Sequence, residues 1–182
     1  MKKWVTTMLA FGGVLALTAC SSAADNEGTG MTPAEILTRA KEVFADARVG
    51  VGEDGWTEDQ KWLSCGLINE IPHVQLTFTS ERRIPLSLEP AEVASRVSDR
   101  WAQIGVDAQL SIDEQLNPVR YILSDPPYLS GVNPDGSLTQ LWLGADFANF
   151  SYTSPCVVGD IFELQPRGGS SSTPTVTPPS SP

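Results

Sequence analysis

The sequence predicts an α+β fold, a two-layer sandwich in which two helices cover one face of a mostly antiparallel sheet. Two stretches repeat apolar residues at helical spacing, and several shorter stretches alternate apolar with polar residues. Short turns join most neighbouring stretches, which favours antiparallel pairing. An amphipathic helix must bury its apolar side, and the sheet is the simplest partner. The predicted order of elements is therefore α-β-β-α-β-β-β-β.

The first helix should begin at Thr32. Threonine is a favoured N-cap, Pro33 fits the first helical position, and Glu35 would complete a capping box. The apolar side of this helix recurs at helical spacing and comprises Ile36, Leu37, Ala40, Val43, Phe44 and Ala47. A glycine-rich acidic loop over residues 50–59 should follow it.

A β-hairpin is expected after this loop. Residues 61–69 form its first strand, and the alternation from Val74 to Phe78 marks the second as half-buried. The hairpin turn is placed near Ile71-Pro72, since proline and its neighbours favour turns.

The second helix should begin with Pro90 at its first position. Its buried stripe comprises Val93, Val97, Trp101 and Ile104, and Gly105 is placed to end it. The stretch 106–113 then alternates strictly, and it is the clearest strand pattern in the chain. Further strands are expected at residues 119–124, 138–144 and 148–152. A last strand is expected over residues 156–164, which is one strand more than the predicted order contains.

The two ends of the chain differ from this middle in composition. Residues 1–19 combine Lys2 and Lys3 with a short apolar run, as a signal peptide does. The run is shorter than the ~20 apolar residues of a membrane span. Residues 20–31 are small and polar and should form a flexible tether. Residues 166–182 form a Gly/Ser/Thr/Pro tail that should be disordered, which leaves 32–165 as a single α+β domain.

Leu17-Thr18-Ala19-Cys20 resembles the lipobox of bacterial lipoproteins, with leucine at −3, a small residue at −1 and cysteine at +1. The resemblance implies cleavage before Cys20 and attachment of a diacylglyceryl group, with its palmitate-type acyl chains, to the Cys20 thiol. Two acyl chains hold a protein firmly to a bilayer, whereas one holds it marginally. The expected location is the extracytoplasmic face of the cell membrane.

With Cys20 joined to lipid, two cysteines remain, Cys65 and Cys156. On the oxidising side of the membrane an even remainder indicates a disulfide, with two buried thiols as the alternative. The chain has no Cys-x-x-Cys motif and one histidine, His73, so no metal site or cofactor is expected. The net charge of −10 argues against a nucleic-acid partner, which requires a basic face.

The folded middle also resembles the small single-domain lipoproteins of actinobacteria. The resemblance is carried by Trp62-Leu63-Ser64-Cys65 early in the domain and Ser154-Pro155-Cys156 late in it. It implies an envelope lipoprotein of uncharacterised function.

The sequence does not predict an enzyme. His73 would have to serve any Ser-His-Asp triad, and it lies next to Pro72 in a chain without Gly-x-Ser-x-Gly. Asp113, Glu114 and Asp125 could supply a glycosidase pair, but they lie at strand ends, where carboxylates are commonly solvated.

Two loops are candidate binding surfaces because each places an aromatic residue outside a periodic pattern. Trp56 lies in the acidic loop and Tyr128 lies in the loop 125–131. Trp62, Trp101 and Trp142 are predicted to be core residues. The first hypothesis is a membrane-anchored, non-catalytic binding or protein-interaction module with an envelope protein partner. The alternatives are a small-solute-binding lipoprotein that works with a transporter and, third, an envelope hydrolase.

Overall fold

The computed structural model describes residues 30–165, which fold into three helices and seven strands. The helices are α1 (Pro33–Val51), α2 (Pro90–Gln103) and α3 (Ile161–Leu164). The strands are β1 (Trp56–Ile68), β2 (Ile71–Arg82), β3 (Gln109–Asp113), β4 (Arg120–Asp125), β5 (Leu138–Gly144), β6 (Phe147–Thr153) and β7 (Val157–Val158). The predicted signal peptide, Cys20 and the Gly/Ser/Thr/Pro tail lie outside the described residues.

The strands form one antiparallel sheet in the order β1-β2-β6-β5-β4-β3, and the short β7 pairs with the start of β2. Helices α1 and α2 pack on each other and on one face of this sheet. The predicted α+β sandwich with a mostly antiparallel sheet is therefore confirmed. The element order up to β6 also agrees with the prediction.

Helix α1 begins as its sequence predicts. The Thr32 hydroxyl accepts a hydrogen bond from the backbone N–H of Glu35 (3.3 Å), and the Glu35 carboxylate accepts one from the N–H of Thr32 (2.7 Å). These reciprocal bonds satisfy donors that a helix start otherwise leaves unpaired. The helix continues through Gly50, where a methyl group would lie 2.5 Å from Cγ2 of Val97. The missing side chain at Gly50 thus lets α2 approach α1 closely.

An aromatic cluster fills the space between the helices and the sheet. The Phe44 ring lies 5.3 Å from that of Phe78 and 5.2 Å from that of Phe150, in tilted geometries. Trp101 is fully buried beside Phe150, and its Nε1–H donates to the Val43 carbonyl oxygen at 3.0 Å. Tilted and edge-on contacts are the favoured geometries of such rings, and the buried indole N–H has a partner.

The β1–β2 hairpin begins and turns at other residues than predicted. It begins at Trp56 and turns at Asn69 and Glu70, both of which have positive φ (51° and 66°). Positive φ at two successive residues is typical of a tight two-residue hairpin turn. The usual sequence signal for this turn is Asn-Gly, and here asparagine is followed by glutamate. His73 is consequently a buried residue of β2 and not a turn residue.

The predicted disulfide between Cys65 and Cys156 is confirmed. Cys65 lies in an irregularity of β1, between Ser64 and Gly66, where the pairing register with β2 shifts. Cys156 lies between β6 and β7. The bond therefore fastens the edge strand β1 to the last part of the described chain.

Two predicted strands are wrong in extent. The first was expected over residues 106–113, but β3 begins at Gln109. Its residues Leu110 and Ile112 are 45% and 52% exposed, because β3 is the edge strand and the helices cover the centre of the sheet. In the stretch 156–164 only β7 is extended. Asp160 then accepts a hydrogen bond from the N–H of Phe162 (2.8 Å) and caps the short helix α3.

Candidate functional site

The sheet face opposite α1 and α2 is the open face. On β5, Leu141 and Leu143 are buried in the core, so the alternation of the strand turns Trp142 to the open face. Directly paired residues of an antiparallel sheet share a face. The pairing register therefore places Ile122, Trp142, Asn149 and Glu81 in one row across four strands of the open face.

A groove of about 600 Å³ lies at one end of this face. It occupies the region where β2 ends, β4 begins, β5 ends and β6 begins. Its volume is within the range of pockets that hold small ligands. The groove is lined by Glu81, Arg83, Pro85, Pro118, Arg120, Trp142, Asp146, Phe147 and Asn149.

Gly144 makes room for a contact between two lining residues of the groove, Arg120 and Phe147. The guanidinium carbon of Arg120 lies 4.4 Å from the ring centroid of Phe147, which is a close cation–π contact. A methyl group on Gly144 would lie 2.1 Å from Cε1 of Phe147 and 3.2 Å from Nη1 of Arg120. The absence of a side chain at this position thus allows the two groups to meet above β5.

The polar side chains of the groove have hydrogen-bonding capacity that the described residues leave unused. Arg83 pairs with Glu81 at 2.5 Å, and Nη1 of Arg120 donates to the Pro118 carbonyl oxygen at 2.7 Å. Arg120 has no carboxylate partner within residues 30–165, and the side chains of Asp146 and Asn149 make no hydrogen bond there. Two arginines and two acids give the groove no net formal charge.

The structure brings the predicted loop residue Tyr128 to the open face beside the groove. Its ring meets that of Trp142 edge-on, with centroids 5.3 Å apart. Ile122, the cross-strand neighbour of Trp142, is fully buried on this face. Tyr128 is half-buried and is not itself a lining residue of the groove, so its contact supports Trp142 from the side.

The expectation that Trp56 is an exposed loop residue is wrong. Trp56 is the first residue of β1 and is half-buried against the core. Its Nε1–H donates to the Gly52 carbonyl oxygen at 2.7 Å, and its ring meets that of Phe44 edge-on at 5.2 Å. It pairs with Arg82, whose direct neighbour on β6 is a core alanine, so it lies on the helix side of the sheet. The two predicted aromatic residues therefore do not form one surface.

Trp142 is the residue that the sequence interpretation missed. Its place in a predicted strand favours the core, but the structure places it in the groove. Its indole N–H donates to Oε1 of Gln140 at 3.3 Å. The orientation of Trp142 can be read from the alternation of β5 in the sequence. If Leu141 and Leu143 point to the core, residue 142 must point to the opposite face.

The residues considered for catalysis have structural roles in the described range. Nδ1 of His73 lies 2.9 Å from the carbonyl oxygen of Ile71. Asp113 accepts a hydrogen bond from the N–H of Gln115 (3.0 Å), and Asp125 accepts one from Asn133 (3.4 Å). Within residues 30–165, no three His, Cys, Asp or Glu residues cluster in a way that could hold a metal ion. No helix in this range combines the length and apolarity that crossing a membrane requires.

Both ends of the described chain lie at the end of the sheet away from the groove. A methyl group on Gly159 would lie 3.1 Å from Cγ of Pro33, 3.5 Å from Cδ1 of Leu164 and 2.8 Å from Cγ2 of Val74. Val74 is near the start of β2, and Glu81 in the groove is seven residues further along the strand. At ~3.4 Å per residue this separates the two regions by about 24 Å.

A solved structure of a DUF4853 family protein from Actinomyces odontolyticus is similar to this chain, with a TM-score of 0.45 and 14% sequence identity. The alignment covers 69% of this chain and 67% of that chain. No family model matches the chain, and no curated protein matches it in sequence.

Proposed function

We propose that this chain is a lipid-anchored, non-catalytic binding module of the bacterial cell envelope and that the groove of the open face is its recognition site. The observation that carries the proposal is the groove itself, where the aromatic side chains of Trp142 and Phe147 meet polar groups with unused hydrogen-bonding capacity. Concave sites that combine aromatic surface with a few polar groups are typical of ligand recognition.

The location at the envelope rests on the lipobox-like segment that ends in Cys20. The disulfide between Cys65 and Cys156 supports it, because structural disulfides form and persist in oxidising compartments outside the cytoplasm. Replacement of Cys20 by serine should abolish incorporation of labelled palmitate and release the protein from the membrane fraction. Continued labelling of that variant would contradict the anchor.

The position of the groove supports display away from the membrane. Pro33, the first residue of α1, lies at the opposite end of the sheet from the groove. A tether over residues 20–31, with a reach of roughly 15–20 Å, would therefore hold the domain close to the bilayer by its far end. The groove would then face outward, where an envelope component can reach it.

Site-specific photocrosslinking in cells that make the full anchored chain tests the recognition site. A photoreactive amino acid replaces Arg83, which is 77% exposed at the groove, and in a control it replaces Lys41, which is exposed on α1 on the opposite side of the sheet. We expect a crosslinked product from position 83 that Trp142→Ala strongly reduces, and no such product from position 41. Equal products at both positions, or a product that Trp142→Ala leaves unchanged, would contradict the assignment of the groove.

The alternative of a small-solute-binding lipoprotein that works with a transporter is favoured by one observation, the volume of the groove. About 600 Å³ would admit a small solute. The same crosslinking experiment separates the two. A solute receptor would meet its transporter through a surface other than its ligand groove, so position 83 would then capture no protein.

A further inference from the structure

We infer that the ligand of the groove is a saccharide, specifically a short stretch of an uncharged glycan chain. The inference rests on the proposed function, because it names the class of ligand for the same groove.

The aromatic part of the groove suits a sugar ring. A pyranose or furanose ring carries C–H groups on its faces and hydroxyl groups around its edge. Trp142 offers aromatic surface that such C–H groups can cover, and Tyr128 holds Trp142 from the side. The Arg120 guanidinium already covers one face of the Phe147 ring, so Phe147 adds its other exposed surface. Prolines are the only aliphatic residues in the lining. The apolar surface of the lining is therefore mainly aromatic, which suits a ligand whose apolar part is the face of a ring.

The polar part of the groove suits hydroxyl groups, which both donate and accept hydrogen bonds. Asn149 can do both through its amide, Asp146 and Glu81 accept, and Arg120 and Arg83 donate in a planar fork. The side chains of Asp146 and Asn149 have no partner among residues 30–165. Sugar hydroxyls would form hydrogen bonds with these groups and would add no charge to the groove.

The charges of the groove favour a neutral ligand. Arg83 and Arg120 are offset by Glu81 and Asp146, so neither an anion nor a cation gains from the groove as a whole. The chain has a net charge of −10, which disfavours nucleic acids and strongly acidic polymers on its surface.

The surface beyond the groove indicates a chain of sugars and not a single one. Along β6 the open face continues from Asn149 to Ser151 and Thr153, and Ser151 lies between Gln140 on β5 and Thr79 on β2. These side chains are half-buried, uncharged and capable of hydrogen bonding. Residues two apart on a strand are ~7 Å apart, so the polar row can follow several linked sugar units.

The test uses the full chain, purified in a zwitterionic detergent that carries no sugar. The probes are soluble tetrasaccharides of N-acetylglucosamine, mannose, arabinose and galactose, titrated by calorimetry. We expect at least one to bind. Trp142→Ala should weaken binding about tenfold or more, as loss of an aromatic anchor does. Asn149→Ala should weaken it several-fold, and Lys41→Ala, exposed on α1 on the opposite side of the sheet, should bind like the original chain.

Circular dichroism and thermal unfolding establish that each variant is folded. If Trp142→Ala does not fold, Asn149→Ala and Trp142→Leu decide the question instead. Binding of no probe would overturn the saccharide assignment, and so would equal binding by the original chain and the folded groove variants. If no probe binds but position 83 still captures a protein in cells, the groove remains a recognition site for another ligand. If position 83 captures nothing as well, the proposed function fails together with the saccharide.

Discussion

Removal of the disulfide should cost this fold a large part of its stability. Cys65 and Cys156 are 91 residues apart in the sequence. In the chain-entropy model, a cross-link that closes a loop of this length restricts the unfolded chain enough to stabilise the fold by ~4–5 kcal/mol. The total free energy of unfolding of a domain is commonly ~5–15 kcal/mol. The double variant Cys65→Ser and Cys156→Ser should therefore remain folded only marginally at elevated temperature.

Urea unfolding of the full chain, compared with that of the double variant, measures this effect. With a slope of ~1.5 kcal/mol per molar urea, a loss of ~4–5 kcal/mol lowers the midpoint by about 3 M. The slope should also rise, since the unfolded chain without the cross-link exposes more surface. Hydrogen exchange should accelerate first in β7, which pairs with β2 through two residues only. A midpoint shift below about 0.5 M would refute the reasoning, because loop closure at this separation could then not be the source of the stability.

Three further predictions concern single side chains. Arg82→Met should lower the free energy of unfolding by about 2–4 kcal/mol, because the buried guanidinium donates to two loop carbonyl oxygens at 2.9 and 2.7 Å. The exposed neighbour gives the control, and Arg83→Met should change it by less than about 0.5 kcal/mol. Burial raises the pKa of Tyr152 above its usual value of 10.0. The neutral phenol therefore contributes its full stabilisation below pH 10, and this contribution is lost as the pH rises through the folded-state pKa. Tyr152→Phe should move alkaline unfolding to higher pH. Hydrogen bonds from the backbone N–H and hydroxyl of Thr32 lower the pKa of Glu35 below its usual value of 4.5. The capping box therefore stabilises the fold above that pH, and this stabilisation is lost as the pH falls through the folded-state pKa. Glu35→Gln should flatten this acid dependence.

Chemical denaturation at fixed pH measures the arginine pair, and equal losses in both variants would contradict the role of the buried guanidinium. Thermal unfolding between pH 8 and 12 measures the effect of Tyr152, and an unchanged alkaline midpoint in the phenylalanine variant would contradict it. The acid dependence of Glu35 is measured by thermal unfolding between pH 3 and 6. A steeper dependence in the glutamine variant than in the original chain would show that the sign is wrong.

Local signals in the sequence determined much of the fold. The capping residues Thr32 and Glu35 placed the start of α1, and the apolar stripe of α2 identified its buried side. Strand β5 occupies the predicted residues 138–144. These features depend on interactions within a few residues of each other, so a pass along the chain can find them.

The candidate site could not be predicted in the same way, because it depends on which faces are covered. Period-2 alternation shows that Trp142 and its leucine neighbours point in opposite directions, but it does not say that one face of the sheet stays open. The same lack of long-range information affects Leu110, whose strand pattern is strong although its strand lies at the edge. Trp56 has no periodic partner nearby in the sequence, which predicts a loop residue, because its actual contacts, Phe44 and Gly52, lie on α1 and at its end.

The contact of Pro33 and Leu164 with Gly159 has a consequence for how this domain can be joined to other chains. Because its first and last described elements meet at one point of the surface, the domain could be inserted into a loop of a host protein, entering and leaving through the same gap. The ends could equally be linked to each other and a new start made at the Asn69-Glu70 turn. In either arrangement the groove would remain accessible, because the junction lies at the other end of the sheet.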